Sequence, residues 1–432
     1  LFVIFRYNSR FAGPASGPYK AFMTSRDCFS LPITGACSQS ARGYDRYVAE
    51  FLSYGPDLRA LFAVADANPG APLLNAHAAA LHMAFEGAEG WTAAASYLAR
   101  MRGCADNGTE RERLFCAAVE AWARTDFFQA LAFLDDLTVR WPADLCAIKW
   151  GQYHAFNLGD AGALLRLGER ARIVHENTPY AHGMTAFALE QNHRLREAED
   201  EGMLAAEIAL DDAWAHHAVA HVMETEGRPR EGARWLDHCA HTWERKGVFI
   251  RDHNYWHAAL FRLSLGREEE ALAIFDDRLW GEWPEFPQEQ IGAVSMLWRL
   301  ELRGADVGKR WAPVVAQARA RAGEHLFAFH DLHYLYALAR AGEPGEADAF
   351  LVSLRQRADR AEGEARVVWA GVCLPAAEAL AAFARGDHMG AAHTLGPVLT
   401  NLHRIGGSHA QRHVFTETYE ACLTPQAGRL AQ

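Results

Sequence analysis

A glycine followed five or six residues later by an alanine recurs along this chain and constrains its fold more than any other feature. Gly227 leads to Ala233, Gly266 to Ala271, Gly342 to Ala347 and Gly386 to Ala391. The clearest copy is Gly266-Arg-Glu-Glu-Glu-Ala271, a flexible turn residue followed by acids that suit the first turn of a helix. Gly159 and Gly227 stand 68 residues apart, two units of 34, with His193 at the midpoint and Ala198 five residues beyond it. The next spacings are 39 to Gly266, 38 to Gly304, 38 to Gly342 and 44 to Gly386. Glycine permits the positive φ of a tight turn, and alanine permits close approach of two helices. Apolar residues between these marks follow the 3.6-residue period, as in Leu260, Leu263, Leu272 and Phe275.

A 34-residue helix–turn–helix unit has the length of a tetratricopeptide repeat, and 38–44 is an elongated form of it. The expected fold is therefore all-α: a tetratricopeptide-type, right-handed solenoid of stacked antiparallel helix pairs, with no strand signal. Residues 1–22 read as an N-terminal extension before a plausible start at Met23, residues 23–70 as an N-terminal helical segment, and 71–432 as the solenoid. In such a stack the first helix of each pair lines the inner, concave wall and the second lies outside.

The formal net charge of −11 opposes binding to nucleic acid, which needs a basic face to displace counterions. The 8 cysteines are scattered, without a C-x-x-C pair, as in a reducing compartment, and they offer no cysteine-type zinc site. No run of about 18 apolar residues signals a bilayer span. The expectation is a cytoplasmic protein without a membrane or nucleic-acid partner.

Histidines fall at similar offsets before successive turn glycines. His217 and His221 lie 10 and 6 residues before Gly227, His253 and His257 lie 13 and 9 before Gly266, and His330 and His333 lie 12 and 9 before Gly342. Residues four and seven apart share a helical face, so His217, His221 and Glu224 form one stripe, and His253 and His257 form another beside Asn254. A buried group of imidazoles is costly without a shared ligand. One divalent transition metal (Zn, Fe or Cu) held by His217, His221, His257 and His333 would satisfy it, with Glu224 and Asp331 orienting the ligands. Without a metal, the same groups could hold an anion or act as acid and base, with Glu224, His257 and Asp331 moving protons. The H-E-x-x-H motif of metalloproteases is absent.

Gly406-Gly407-Ser408-His409-Ala410-Gln411-Arg412-His413 opens the last helix, with Ser408 as its N-cap. A helix N-terminus beside Arg412 can equally be a capping turn or an anion site.

These segments resemble the tetratricopeptide repeat protein 38 family and its bacterial relatives. The resemblance is carried by His217-Ala-Val-Ala-His221-Val-Met-Glu224, His253-Asn254-Tyr255-Trp256-His257, Phe329-His330-Asp331-Leu332-His333 and the Gly406–Arg412 stretch, with a weaker match at Ala76-His77-Ala78. It runs from about Cys28 onward, and the family pattern has Asp where this chain has His413. It implies the repeat fold and no particular reaction. The chain thus reads as a solenoid binding a small molecule or peptide in a His-rich groove, with His77, His253, Asn254, Trp256, His330, Ser408, Gln411 and Arg412 as contacts. The alternatives are a metal-dependent hydrolase or oxidoreductase and a peptide-docking scaffold.

Overall fold

The computed structural model describes residues 24–424. The expected extension at 1–22 lies outside the described residues. The chain packs as two units, the first comprising residues up to Gly151 together with Arg170–Glu176, the second Gln152–Glu169 and everything from Asn177 onward.

The first unit opens with an antiparallel hairpin, β1 (Thr24–Arg26) and β2 (Pro32–Thr34), where no strand was expected. Three residues are too few to show a period of two. The turn is held by Asp27 Oδ1, which accepts from the amides of Phe29 and Leu31 at 3.0 and 2.8 Å. Helices follow: α1 (Ser38–Ser53), α2 (Ala60–Ala67), α3 (Pro72–Met83), α4 (Ala88–Cys104), α5 (Glu110–Ala123) and α6 (Phe127–Arg140). The Thr109–Glu112 capping box starts α5, and Glu112 also accepts from the Thr34 amide at 2.8 Å and hydroxyl at 2.7 Å, tying the hairpin to that helix.

The boundary helices α7 (Leu145–Asn157) and α8 (Ala161–Val174) lead into the pairs of the second unit. These are α9 (Ala181–Gln191) with α10 (Leu195–Ile208), α11 (Ala213–Thr225) with α12 (Pro229–Cys239), and α13 (Val248–Ser264) with α14 (Glu268–Ile274). Next come α15 (Pro287–Leu302) with α16 (Trp311–Ala320) and α17 (Ala328–Ala341) with α18 (Glu346–Asp359). The short α19 (Gly363–Val368), α20 (Leu374–Ala384), α21 (His388–Leu395) and α22 (His409–Leu423) complete the order. The fold class is the expected one: all-α, stacked helix pairs of tetratricopeptide type, in which the first helix of a pair packs on its partner and on the next first helix.

Burial separates the two kinds of helix. Every residue of α9 is buried, as are ten of the thirteen in α11, whereas α10 buries only Ala198, Gly202 and Ala205. An all-round buried helix is an inner helix; a one-faced helix faces solvent. The punctuating alanines sit at the contacts, with Ala198, Ala271 and Ala391 fully buried. Glycines let the layers meet: a Cβ on Gly202 would lie 2.6 Å from Val219 Cγ2, and one on Gly232 would lie 2.1 Å from the Phe261 ring.

Turn residues Gly159, Gly227, Gly266, Gly304 and Gly386 all have φ between +65° and +80°, and His193 holds the same left-handed conformation at +56°. Gly342 departs from the pattern. It ends α17 at φ −80°, and the left-handed residue there is Gly345.

Part of the inner wall of the second unit is occupied. Helix α22 returns against α11 and α15. Arg299 Nη2 on α15 donates to the Ala410 carbonyl at 2.7 Å, Arg303 pairs with Glu417 at 2.8 Å, and His409 Nε2 donates to the Gln191 carbonyl at 3.4 Å. The continuous helical stretch Gly363–Ala384 is long and apolar enough to cross a membrane. Ala376, Ala377 and Leu380 within it are fully buried, and it packs on α17 and α18, as a core helix does.

Candidate metal centre

Asp212 caps α11, its Oδ1 accepting from the amides of Trp214 and Ala215 at 3.1 and 3.0 Å. That fixes the start of the helix, and two turns on it presents His217 and His221 to one side. Helix α13 presents His253 and His257 to the same place, held to α11 by Asn254 Nδ2, which donates to the Ala213 carbonyl at 3.0 Å. One ring nitrogen from each of the four histidines lies within 4.8 Å of the others.

His217 Nε2 lies 3.0 Å from His221 Nε2 and 3.1 Å from His253 Nε2. Among the described residues, His257 Nε2 is buried without a hydrogen-bond partner, and so is His217 Nδ1. On the far side of two rings stand carboxylates: His257 Nδ1 is 3.2 Å from Glu224 Oε2, and His221 Nδ1 is 3.7 Å from Glu190 Oε2. A proton on each of those Nδ1 atoms leaves the Nε2 lone pairs of His221 and His257 facing the cluster.

Protons alone cannot satisfy this group. His217 Nε2 has either one proton or one lone pair, yet it faces two other nitrogens at hydrogen-bond distance, so one contact is left unmatched. A cation accepting all the lone pairs removes the conflict. Tetrahedral ligands about 2.0–2.1 Å from zinc are about 3.3 Å apart, close to the separations at His217.

The surroundings keep the rings neutral. Burial pushes His217, His221 and His253 well below their ordinary value, each ring also lowered by its histidine neighbours. His257 is pushed down to about 3 by burial, with Arg299 adding to the effect. Neutral imidazole is the form that binds a metal. Burial raises the carboxyls of Glu190 and Glu224 to about 7. Aromatic rings wall the group: Trp214 and Phe187 lie 4.5 and 5.3 Å from His217 between centroids, and Trp256 stacks on His253 at 5.5 Å. His253 alone of the four is not fully buried, and it lines a pocket with Phe249, Asp252, Trp256, Leu279 and Phe286.

The structure therefore brings together His217, His221, His257 and Glu224 and adds His253, expected only as a ligand contact. His333 is outside the group. Its Nδ1 donates to the Phe329 carbonyl of its own helix at 2.8 Å and its ring packs by Phe329 and Phe415. Asp331 serves neither His333 nor the cluster; its Oδ2 is 2.6 Å from His325 Nδ1. His330 is buried beside Phe327 and Tyr334. His77 belongs to the first unit, where its ring contacts the hydroxyls of Tyr44 and Tyr47 at 2.9 and 3.3 Å. Ser408 and Gln411 form a reciprocal capping box that opens α22, as the N-cap reading expected of Ser408. Arg412 donates to the carbonyls of Gly406 and Gly407, so its guanidinium closes the turn.

Glu190 escaped the sequence reading, although a signal existed. It stands three residues before His193, as Glu224 stands three before Gly227, so both acids share one repeat position.

No protein-family model matches the chain. Among solved structures it is similar to a chain of the APC/C hetero-tetramer Cut9–Hcn1, at 12% identity over 90% of this chain and 77% of that one, with a TM-score of 0.39. It is also similar to a monomeric IFIT1 mutant with Gppp-AAAA, at 12% identity over 87% and 84% and a TM-score of 0.42. For the TPR domain of P58(IPK) the values are 12%, 74%, 98% and 0.20.

Proposed function

We propose that this protein is a helical-repeat metalloprotein that binds one divalent transition metal between α11 and α13 through His217, His221, His253 and His257. The observation that carries the reading is the convergence of four neutral imidazoles, three buried and one half-buried, whose nitrogens cannot all be matched by protons. Glu224 and Glu190 act behind the ligands, fixing tautomer and ring orientation. An all-imidazole set suits zinc, iron or copper. Because His253 faces the pocket, it is the ligand a small molecule reaches first. Four imidazoles close a tetrahedral ion, so hydrolysis or oxidation there requires His253 to yield its place to water or substrate. The narrower resemblance to the tetratricopeptide repeat protein 38 family rests on the motifs that supply these histidines. A peptide lying along the inner wall is the second reading, and α22 packs against α11 and α15 on that wall.

Elemental analysis of the tag-free protein tests the reading. One zinc, iron or copper per chain is expected, and none in the His217→Ala/His257→Ala double variant, with helical content unchanged. A wild-type protein that takes up no stoichiometric metal when offered each of these ions would end it.

A further inference from the structure

A second constellation lies apart from the histidine cluster, on the loop before α17 and on α17 and α18. His325 Nδ1 is 2.6 Å from Asp331 Oδ2, and His325 Nε2 is 3.0 Å from Ser353 Oγ. Acid, imidazole and hydroxyl are therefore linked in series. With Nδ1–H donated to Asp331, the Nε2 lone pair faces the serine.

Four further observations bear on it. His325 is held at φ +47°, a left-handed backbone that L residues adopt at a cost, next but one to Gly323 at φ +93°. The loop is thus bent to set this ring between the other two groups. Ser353 is half-buried, while Asp331 is buried. Arg357, one helical turn beyond Ser353 on the same face, lies over the Trp369 ring at 4.6 Å, and its charge is felt by Asp331. In the resting state the Ser353 hydroxyl donates to the Phe350 carbonyl at 2.8 Å, and a rotation about its Cβ–Oγ bond redirects the proton to His325 Nε2.

We propose that Ser353, His325 and Asp331 form an acyl-transfer site for small esters with apolar or aromatic acyl groups, independent of the metal centre. Ser353 Oγ bonds to the ester carbonyl carbon as its proton passes to His325 Nε2. The developing oxyanion is met by Arg357, because a serine inside a helix has its backbone amides already engaged. Collapse breaks the carbonyl carbon–oxygen bond to the alcohol, which takes the proton from Nε2. Water then repeats the sequence on the acyl-serine, returning the acid and the free hydroxyl. Asp331 is a positioning residue that fixes the imidazole tautomer. Phe350 and Trp369, with ring centroids 5.4 and 6.3 Å from that of His325, supply the apolar wall.

The test is covalent labelling of the full chain with diisopropyl fluorophosphate, read by intact mass and peptide mapping, beside turnover of p-nitrophenyl benzoate. One adduct on Ser353 is expected, absent in Ser353→Ala, with ester turnover at least tenfold above that of the variant. His325→Gln should slow labelling about a hundredfold, and Asp331→Asn should shift the pH profile of labelling as well as its rate. A folded wild-type protein that takes no label at Ser353, or a Ser353→Ala variant that turns over the ester at the wild-type rate, would overturn the proposal. Neither result bears on metal content, so this site and the metal centre stand or fall separately.

Discussion

Each histidine in this molecule is defined by what its second nitrogen finds. In the cluster, Glu224 takes Nδ1 of His257 and Glu190 stands behind Nδ1 of His221, which frees both Nε2 atoms for a ligand. Replacing Glu224 by Gln keeps the shape and removes the charge. Metal affinity should fall about 10–100-fold in a competitive chelator titration, with little change in stability of the metal-free protein. His77 shows a different outcome, because its ring is used up by Tyr44, Tyr47 and Trp150 in the first unit. Burial lowers it from 6.5 to about 3, with Asp144 opposing and Arg111 reinforcing the shift. A folded state that refuses a proton the unfolded chain accepts loses stability as pH falls below about 6.5. Asp27 works the other way: burial raises it to about 6, so its contribution is complete below about 3.8 and is lost as pH rises through 6. His77→Gln should therefore flatten the acid limb of a urea-midpoint profile between pH 6.5 and 4.5. An unchanged limb would show that His77 is not a source of that slope. At this scale the histidine types were legible in the sequence, and their partners were not. Two histidine pairs four residues apart announce a shared face, but whether His333 or His253 joins them depends on helix rotation, which residue spacing leaves open.

Helix pairs were the most legible level, because the physics of the turn is local. A residue at positive φ followed by a small residue at the next helix contact is written within six positions. The same rule explains what was missed. The turn made by Thr125, at φ +60°, carries no glycine and so gave no signal, and neither did the three-residue strands. His193 adopts the glycine conformation without being glycine, so His193→Gly should raise thermal stability by about 1 kcal/mol. A loss of stability would mean that its ring, 4.4 Å from that of His409, contributes more than the backbone costs. Gly232→Ala should act in the opposite direction. Its Cβ would meet the Phe261 ring and wedge α12 away from α13, the helix that holds His253 and His257, at a cost of about 1–3 kcal/mol. Weaker metal retention should accompany it.

At the level of the whole molecule, the second unit closes over its own inner wall. The contacts that do this join residues more than a hundred apart, such as Arg299 with the Ala410 carbonyl, and no periodicity encodes them. Sequence reading therefore expected an unobstructed groove where the structure returns α22 against α11 and α15. Arg299→Met should loosen α22 and expose apolar surface, seen as increased binding of a hydrophobic dye with helical content retained. The central claim is that four imidazoles, and no sulfur, hold one metal ion. X-ray absorption on the zinc-loaded, tag-free protein measures that directly. The account predicts one retained zinc with a nitrogen shell at about 2.0–2.1 Å and imidazole scattering from three or four histidines. A zinc lost on dialysis, or a sulfur shell near 2.3 Å, would contradict it.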